Sequence, residues 1–265
     1  MNPVLAFSLS FIGSVLGLRC AVHAKTSTAP IGWLIAAAVA IGGAAIWVMH
    51  FTAMLGFSID GTPIRYDVPT TLLSAVISIG VVLAGLTIVT LGKREWLSLP
   101  VGGTITGLGV AAMHYLGMRA MRSGAVIGYR PPLVVLSIVI AVVAATAALW
   151  FMLHVRGLVR TAGAALVMGV AVCGMHYTAM AAMSAHHSGA ERPVDGVAPV
   201  QLLLPLIGSV SLVVTGLVIL VGLAELDVDA GDRARPDPVR VTGGVMRSTD
   251  PATLSDSGRQ WPRQG

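Results

Sequence analysis

The sequence predicts an all-α integral membrane protein of seven transmembrane helices, arranged as three repeated two-helix units plus one N-terminal helix. Three observations predict it. The 265-residue chain is 55% hydrophobic and only 11% charged, where soluble domains carry about 25% charged residues. Its apolar residues fall into runs long enough to cross a bilayer core, which takes roughly 17–25 residues of helix. One hexapeptide also recurs near the C-terminal end of three of those runs: Met49-His50-Phe51-Thr52-Ala53-Met54, Met113-His114-Tyr115-Leu116-Gly117-Met118 and Met175-His176-Tyr177-Thr178-Ala179-Met180.

In chain order, the first span covers Pro3 to Leu18. No Lys or Arg precedes it and Arg19 follows it, the reverse of a cleaved signal peptide, so it reads as a retained helix. The second span, Ile31 to Phe57, ends in the first hexapeptide. Thr70 to Leu91 is the third. Leu97 to Met118 is the fourth and ends in the second hexapeptide, Leu133 to Leu153 is the fifth, and Thr161 to Met183 is the sixth and ends in the third hexapeptide. Val200 to Leu223 is the seventh. Spans two and three, four and five, and six and seven form the repeat. The first helix stands outside it and is expected on its periphery. Frequent glycine suits close helix packing in a membrane. Residues 1–223 thus form one membrane domain. From residue 224 to 265, Pro, Gly, Arg and Asp replace apolar periodicity, which predicts a disordered cytoplasmic tail.

Orientation follows from the Lys and Arg residues. Twelve of the 17 lie on the side of Arg19, Lys25, Lys93, Arg94, Arg156, Arg160 and the tail. Arg65, Arg119, Arg122, Arg130 and Arg192 lie on the other. The tail supplies six of the twelve, so the loops alone give six against five, and the uncharged N-terminus ahead of Arg19 decides: N-terminus outside, C-terminus in the cytoplasm and all three hexapeptides toward the outer, non-cytoplasmic face. The net charge of +5 is scattered through loops without interleaved aromatics, which excludes a nucleic-acid partner. Cys20 and Cys173 fall at opposite membrane depths, so no disulfide is expected. Without a nucleophile–base pair, paired carboxylates or a phosphate loop, the chain does not read as an enzyme.

On a helix, residues four apart share a face. His50 pairs in this way with Met54, His114 with Met118 and His176 with Met180. Met121 and Met183 continue the stripe, while Phe57 takes that place in the first copy. Met49, Met113 and Met175 flank it. The glycine seven residues before each histidine (Gly43, Gly107 and Gly169) lies on the same stripe and would admit a neighbouring backbone. Eight of the 12 methionines fall in or just after the three motifs. That clustering favours a ligand site over packing alone, whereas Met152 and Met168 read as packing.

Imidazole with thioether is a soft, neutral ligand set that suits copper, above all Cu(I), and brings no anion into the membrane. Cys173, three residues before His176, is either a further soft ligand or a small packing residue. Tyr115 and Tyr177 either sit in the interfacial belt or orient a histidine by a hydrogen bond. His186, His187, Asp60, Asp67, Glu191 and Asp195 are expected in solvated outer loops, and His23 and His154 at the opposite face. The competing readings are a copper-handling or transport protein, a b-type haem protein with two axial histidines, and a purely structural bundle. Transport needs ligands at several depths, and these cluster at one.

The three segments resemble the motif for which the bacterial MHYT sensor domain is named. The third copy matches it literally, the second has Leu116 for Thr and the first has Phe51 for Tyr. The resemblance covers about residues 1–223. It implies copper held by Met49, His50, Met54, Met113, His114, Tyr115, Met118, Met175, His176, Tyr177 and Met180, and sensing of a diatomic gas: oxygen, carbon monoxide or nitric oxide. Family members often carry a cyclic di-GMP turnover or DNA-binding output domain. None is expected within this sequence, so signalling is expected to pass to a separate cytoplasmic or membrane partner.

Overall fold

A computed structural model of the chain describes residues 3–59, 62–187 and 195–234. Seven helices are long and apolar enough to cross a membrane: α1 Pro3–Thr26, α2 Pro30–Leu55, α3 Val68–Leu91, α4 Glu95–Ala120, α5 Pro131–His154, α6 Leu158–Ala182 and α7 Pro199–Ala234. Each corresponds to a predicted span. Proline stands in the first turn of α2, α3 and α5, where its fixed φ suits a helix start and its missing N–H costs nothing. Asp67 caps α3 by accepting from the Thr70 N–H at 3.0 Å.

Helices α1 to α6 close a ring in the order α2, α3, α4, α5, α6, α1, each packing on the next and α1 returning to α2. Motif-bearing helices therefore alternate with plain ones. The expectation that α1 lies on the periphery is corrected here. Ser10, Gly13, Ser14, Gly17 and Cys20 of α1 are buried, and α1 fills the place between α6 and α2. Small side chains let it in: a Cβ on Gly13 would stand 2.6 Å from the Ala45 nitrogen. The peripheral helix is α7, whose spanning window is 6% buried against 72% for α2. It lies along the outside of α1 and α2, with Val210 near Gly43. At the far end Arg19 of α1 pairs with Glu225. The helix runs on past residue 223 to Ala234, and residues 235–265 lie outside the described residues, as do Asp60, Glu191 and Arg192.

Helix α2 has a π-helical stretch, Val39–Val48, immediately before its motif. A π turn takes up an extra residue and shifts the helix face that follows. The glycine pattern records that shift. On α4 the tight approach is at Gly107, seven before His114, where a Cβ would stand 2.4 Å from Val142 Cα. On α2 it is not at Gly43 but at Gly42, eight before His50, where a Cβ would stand 2.8 Å from Ile79 Cα. Ser78 confirms the contact by donating to the Gly42 carbonyl at 2.6 Å. Gly169 meets a side chain instead, the ring of Phe7.

The three loops that follow the motif helices are stitched together by short strands. Strand β1 (Arg65–Tyr66, after α2) pairs with β2 (Met121–Arg122, after α4). Strand β3 (Ala125–Tyr129, also after α4) pairs with β4 (Met183–His187, after α6), so His186 and His187 belong to a strand. Val197, before α7, exchanges two backbone bonds with Tyr66 at 2.8 and 3.0 Å. Each loop is thereby bonded to the other two. Asp67, which stays solvent-accessible, also accepts from Arg122 at 2.7 Å across the β1–β2 junction. Cys20 and Cys173 are both free and buried.

Two outcomes follow for purified protein in detergent. Gly107→Ala should lose about 1–3 kcal/mol by overpacking against backbone, whereas Gly163→Ala, whose Cβ meets nothing within 4 Å, should leave the thermal midpoint nearly unchanged. The second concerns pH. Hydrogen bonds from Thr70, and then the Arg122 guanidinium, hold the Asp67 carboxyl below the usual carboxylate range. A depressed carboxyl contributes stability that is fully present above its unfolded value of about 3.9 and is lost as pH falls through the folded value. The gap in thermal midpoint between wild type and Asp67→Ala should hold from neutral pH to about 5 and narrow below about 4.

Candidate metal centre

The three motif histidines meet on the axis of the ring. Each sits in the last two turns of its helix, just beneath the stitched loops, and each is about 1% exposed. The ring centroids of His50 and His114 are 4.8 Å apart, those of His50 and His176 5.0 Å, and those of His114 and His176 5.2 Å, all edge to face. One nitrogen from each lies within 4.8 Å of the others. Among the described residues this is the one such group of three or more His, Cys, Asp or Glu side chains, and Cys173 is not in it.

His50 is the hinge of the trio. Its Nδ1 faces His176 Nδ1 at 3.0 Å, and its Nε2 side is open toward α4 only because residue 117 is glycine. A Cβ there would stand 2.6 Å from His50 Nε2 and 3.3 Å from Phe51 Cζ. Gly117 was not picked out from the sequence. The signal was present, because the other two copies carry Ala53 and Ala179 at this position.

The aromatic positions have diverged. The Tyr115 hydroxyl pairs with Ser137 Oγ on α5 at 2.7 Å, so it does not orient a histidine by a hydrogen bond. Tyr177 lies edge-on to His176, and its buried hydroxyl has no protein partner. Phe51 has no hydroxyl but packs on the buried ring of Tyr66, at 5.8 Å between centroids. Tyr66 thus covers Phe51 from the loop end of the bundle, a contact not legible in the sequence because the residue lies in a loop sixteen positions from the motif histidine. Trp47, one turn before Phe51, donates to Ser74 of α3 at 3.0 Å, in the role Tyr115 has toward Ser137.

Of the predicted thioethers, Met49, Met54, Met113, Met118, Met121 and Met175 are buried, and Met180 and Met183 are partly buried. Met49 packs in a small cluster with Ala6, Ala53 and Cys173, beside Phe7 and Tyr177. Met54, Met113, Met118, Met121 and Met175 belong to the main core. His23 and His154 are at the opposite end, stacked on Trp33 and Trp150.

This arrangement fits a metal ion. A neutral imidazole carries one N–H and one lone pair. The contact between His50 Nδ1 and His176 Nδ1 uses two of the six ring nitrogens. The other four, His50 Nε2, both nitrogens of His114 and His176 Nε2, are buried with no protein partner. An unpartnered buried polar group costs about 1–3 kcal/mol, so four at one point constitute an incomplete site. A haem does not fit, since ligands of that size need pockets of roughly 300–1,000 Å³. The three rings touch edge to face, and the cavity below them measures about 50 Å³.

A family described as "Bacterial signalling protein N terminal repeat", MHYT, matches residues 43–102 and 107–165, which contain His50 and His114. The chain is 44% identical over 192 residues to the bifunctional diguanylate cyclase/cyclic di-GMP phosphodiesterase MucR of Pseudomonas aeruginosa, covering 68% of this chain and 28% of that protein.

The chain belongs to the MHYT family.

It is also 40% identical over 150 residues to the cyclic di-GMP phosphodiesterase NbdA of the same organism, 53% of this chain and 19% of that one. To the signaling protein YkoW of Bacillus subtilis it is 30% identical over 193 residues, 70% of this chain and 24% of that one. The chain thus spans less than a third of the length of these relatives. No solved structure matches. It is a multi-pass membrane domain of a signalling family.

Gly117→Ala in this MHYT domain should displace the His50 ring and weaken metal retention about tenfold or more, the usual scale for disturbing a ligand's support. Competition against a chelator of known affinity checks this. Ala179→Gly, which adds no atom near the trio, should change affinity little.

Proposed function

We propose that this MHYT domain is a membrane sensor that holds copper, as Cu(I), between His50, His114 and His176 and responds to a diatomic gas. The observation that carries the reading is the convergence of three buried imidazoles whose remaining nitrogens have no protein partner. The ion would supply a coordination position for oxygen, carbon monoxide or nitric oxide.

Three imidazoles alone also suit zinc. The surroundings favour the monovalent ion. Among the described residues no carboxylate or thiol joins the trio, so the charge of a bound ion stays uncompensated. The cost of burying an ion in apolar surroundings rises with the square of its charge, which weighs against a divalent ion. Softness points the same way, since imidazole and thioether suit Cu(I). The thioethers of Met54, Met118 and Met180 are the further donors this reading assigns, one turn beyond each histidine.

The chain's own residues do the rest. Gly117 leaves room for His50, Tyr66 and Phe51 close the outer side against water, and the stitched loops hold the three helix ends at one level. A change in how the three imidazoles are held therefore acts on three helices at once, as a two-state packing change requires. Sensing is favoured over transport because the three histidines lie at one depth with apolar side chains beneath them. We place the trio on the outer side of a bacterial plasma membrane, with the N-terminus outside, from the distribution of Lys and Arg. The cyclic di-GMP activities in the names of MucR and NbdA point to the kind of signalling such a domain controls.

Protein extracted gently from its native membrane should contain close to stoichiometric copper by elemental analysis. The double variant His114→Ala/His176→Ala should lose nearly all of it while remaining membrane-inserted. Unchanged copper in that variant, or zinc in place of copper in the wild type, would refute the assignment.

A further inference from the structure

A cavity of about 50 Å³ lies on the ring axis and is walled by all six ring helices. Its position is tied to the histidines. Ile46, Val110 and Val172 line it, and each stands four residues before a motif histidine. Residues four apart share a helix face, about 6 Å along the axis. The cavity therefore sits one helical turn below the trio on the same three faces. Thr106 of α4 and Met168 of α6 line it a further turn down, eight before their histidines. On α2 the equivalent residue is Ile41, nine before, as the π-helical stretch requires.

The chemistry of the walls is specific. Apart from two hydroxyls they are alkyl and thioether groups. Thr106 donates its hydroxyl to the Val81 carbonyl at 3.3 Å. That leaves Ser14 of α1, which is fully buried and whose hydroxyl has no protein partner. A buried water needs two to four polar partners, and by a comparable measure roughly 10–15 Å³ of space. The cavity has the room several times over but offers at most two partners, the Ser14 hydroxyl and an acceptor lone pair of Thr106, the bottom of that range, so an apolar occupant is favoured over water. An apolar molecule of two heavy atoms suits it, with the Ser14 hydroxyl facing its more electron-rich end.

We infer that this cavity is a binding chamber for a small apolar molecule, held one turn beneath the histidines at the level of the bilayer's hydrocarbon. Such molecules leave water for apolar surroundings spontaneously, so the chamber loads from the membrane interior, away from the side that Tyr66 and the stitched loops close. Its use as the antechamber of a gas sensor rests on the function proposed above, whereas its capacity to bind does not.

Xenon is the probe, because it needs no metal and reports apolar volume directly. ¹²⁹Xe NMR of the full chain in detergent should show saturable binding of one atom, equal in copper-free and copper-loaded protein. Ala145→Leu, which fills the chamber from α5, should abolish xenon binding, leave copper content unchanged and slow carbon monoxide uptake by the loaded protein severalfold. Ala145→Val, a smaller insertion, should weaken xenon binding if the leucine variant does not fold. Absence of a saturable xenon site in the wild type, or its persistence in the folded leucine variant, would overturn the chamber. Xenon binding in protein that takes up no copper would sustain the chamber and remove the sensor reading.

Discussion

The fold depends on bringing three imidazoles to one point inside an apolar bundle. Buried polar groups are expensive unless partnered, and here four ring nitrogens face each other or nothing. Helix packing alone does not favour such a point, so the surrounding structure has to impose it. Much of the bundle can be read in those terms. Small residues let α1 into the ring between two motif helices, Gly42 and Gly107 let backbones approach, and Gly117 removes the one side chain that would collide with His50. The loops beyond the motif helices are bonded pairwise into a closed set, which fixes the three helix ends against one another.

The threefold pattern is approximate, and its departures are local. The first copy carries phenylalanine, a π-helical stretch and a tryptophan that takes over the hydrogen bond to α3. The second carries the glycine that admits His50 and the tyrosine tied to Ser137. The third keeps the literal motif, and its tyrosine hydroxyl is left without a protein partner. His50 lies just past the π-helical stretch, so a rotation of α2 there moves its ring against both other histidines. Helix α2 is also the most buried of the spanning helices, and α7 lies along it and α1. Val210 of α7 stands beside Gly43 of α2, and Glu225 of α7 pairs with Arg19 of α1.

Much of this was legible in the sequence. Hydropathy placed the seven spans, because backbone in lipid must satisfy itself and only helices do so locally, although α1 continues past the expected end at Leu18, through Arg19, to Thr26. Repetition of Met-His-aromatic at the ends of three spans marked the histidines as a set. Other features were illegible for identifiable reasons. Gly117 and the Gly42 offset matter only through what approaches them from another helix. Short strands such as β1 and β2 have no hydrophobic period to detect. Asp67 looked like an ordinary loop carboxylate until Thr70 and Arg122 were seen around it.

By itself the sequence determined that the chain crosses the membrane seven times and that three spans deliver equivalent side chains to one end of their helices, since length, polarity and helical period are local properties. Tertiary structure alone decided that α1 rather than α7 completes the ring, that the three imidazoles touch, that Gly117 makes their meeting possible and that an apolar cavity lies one turn beneath them. Those facts depend on which surfaces face each other, and in a membrane that choice is made by fit between small residues, because apolar burial no longer distinguishes one helix neighbour from another.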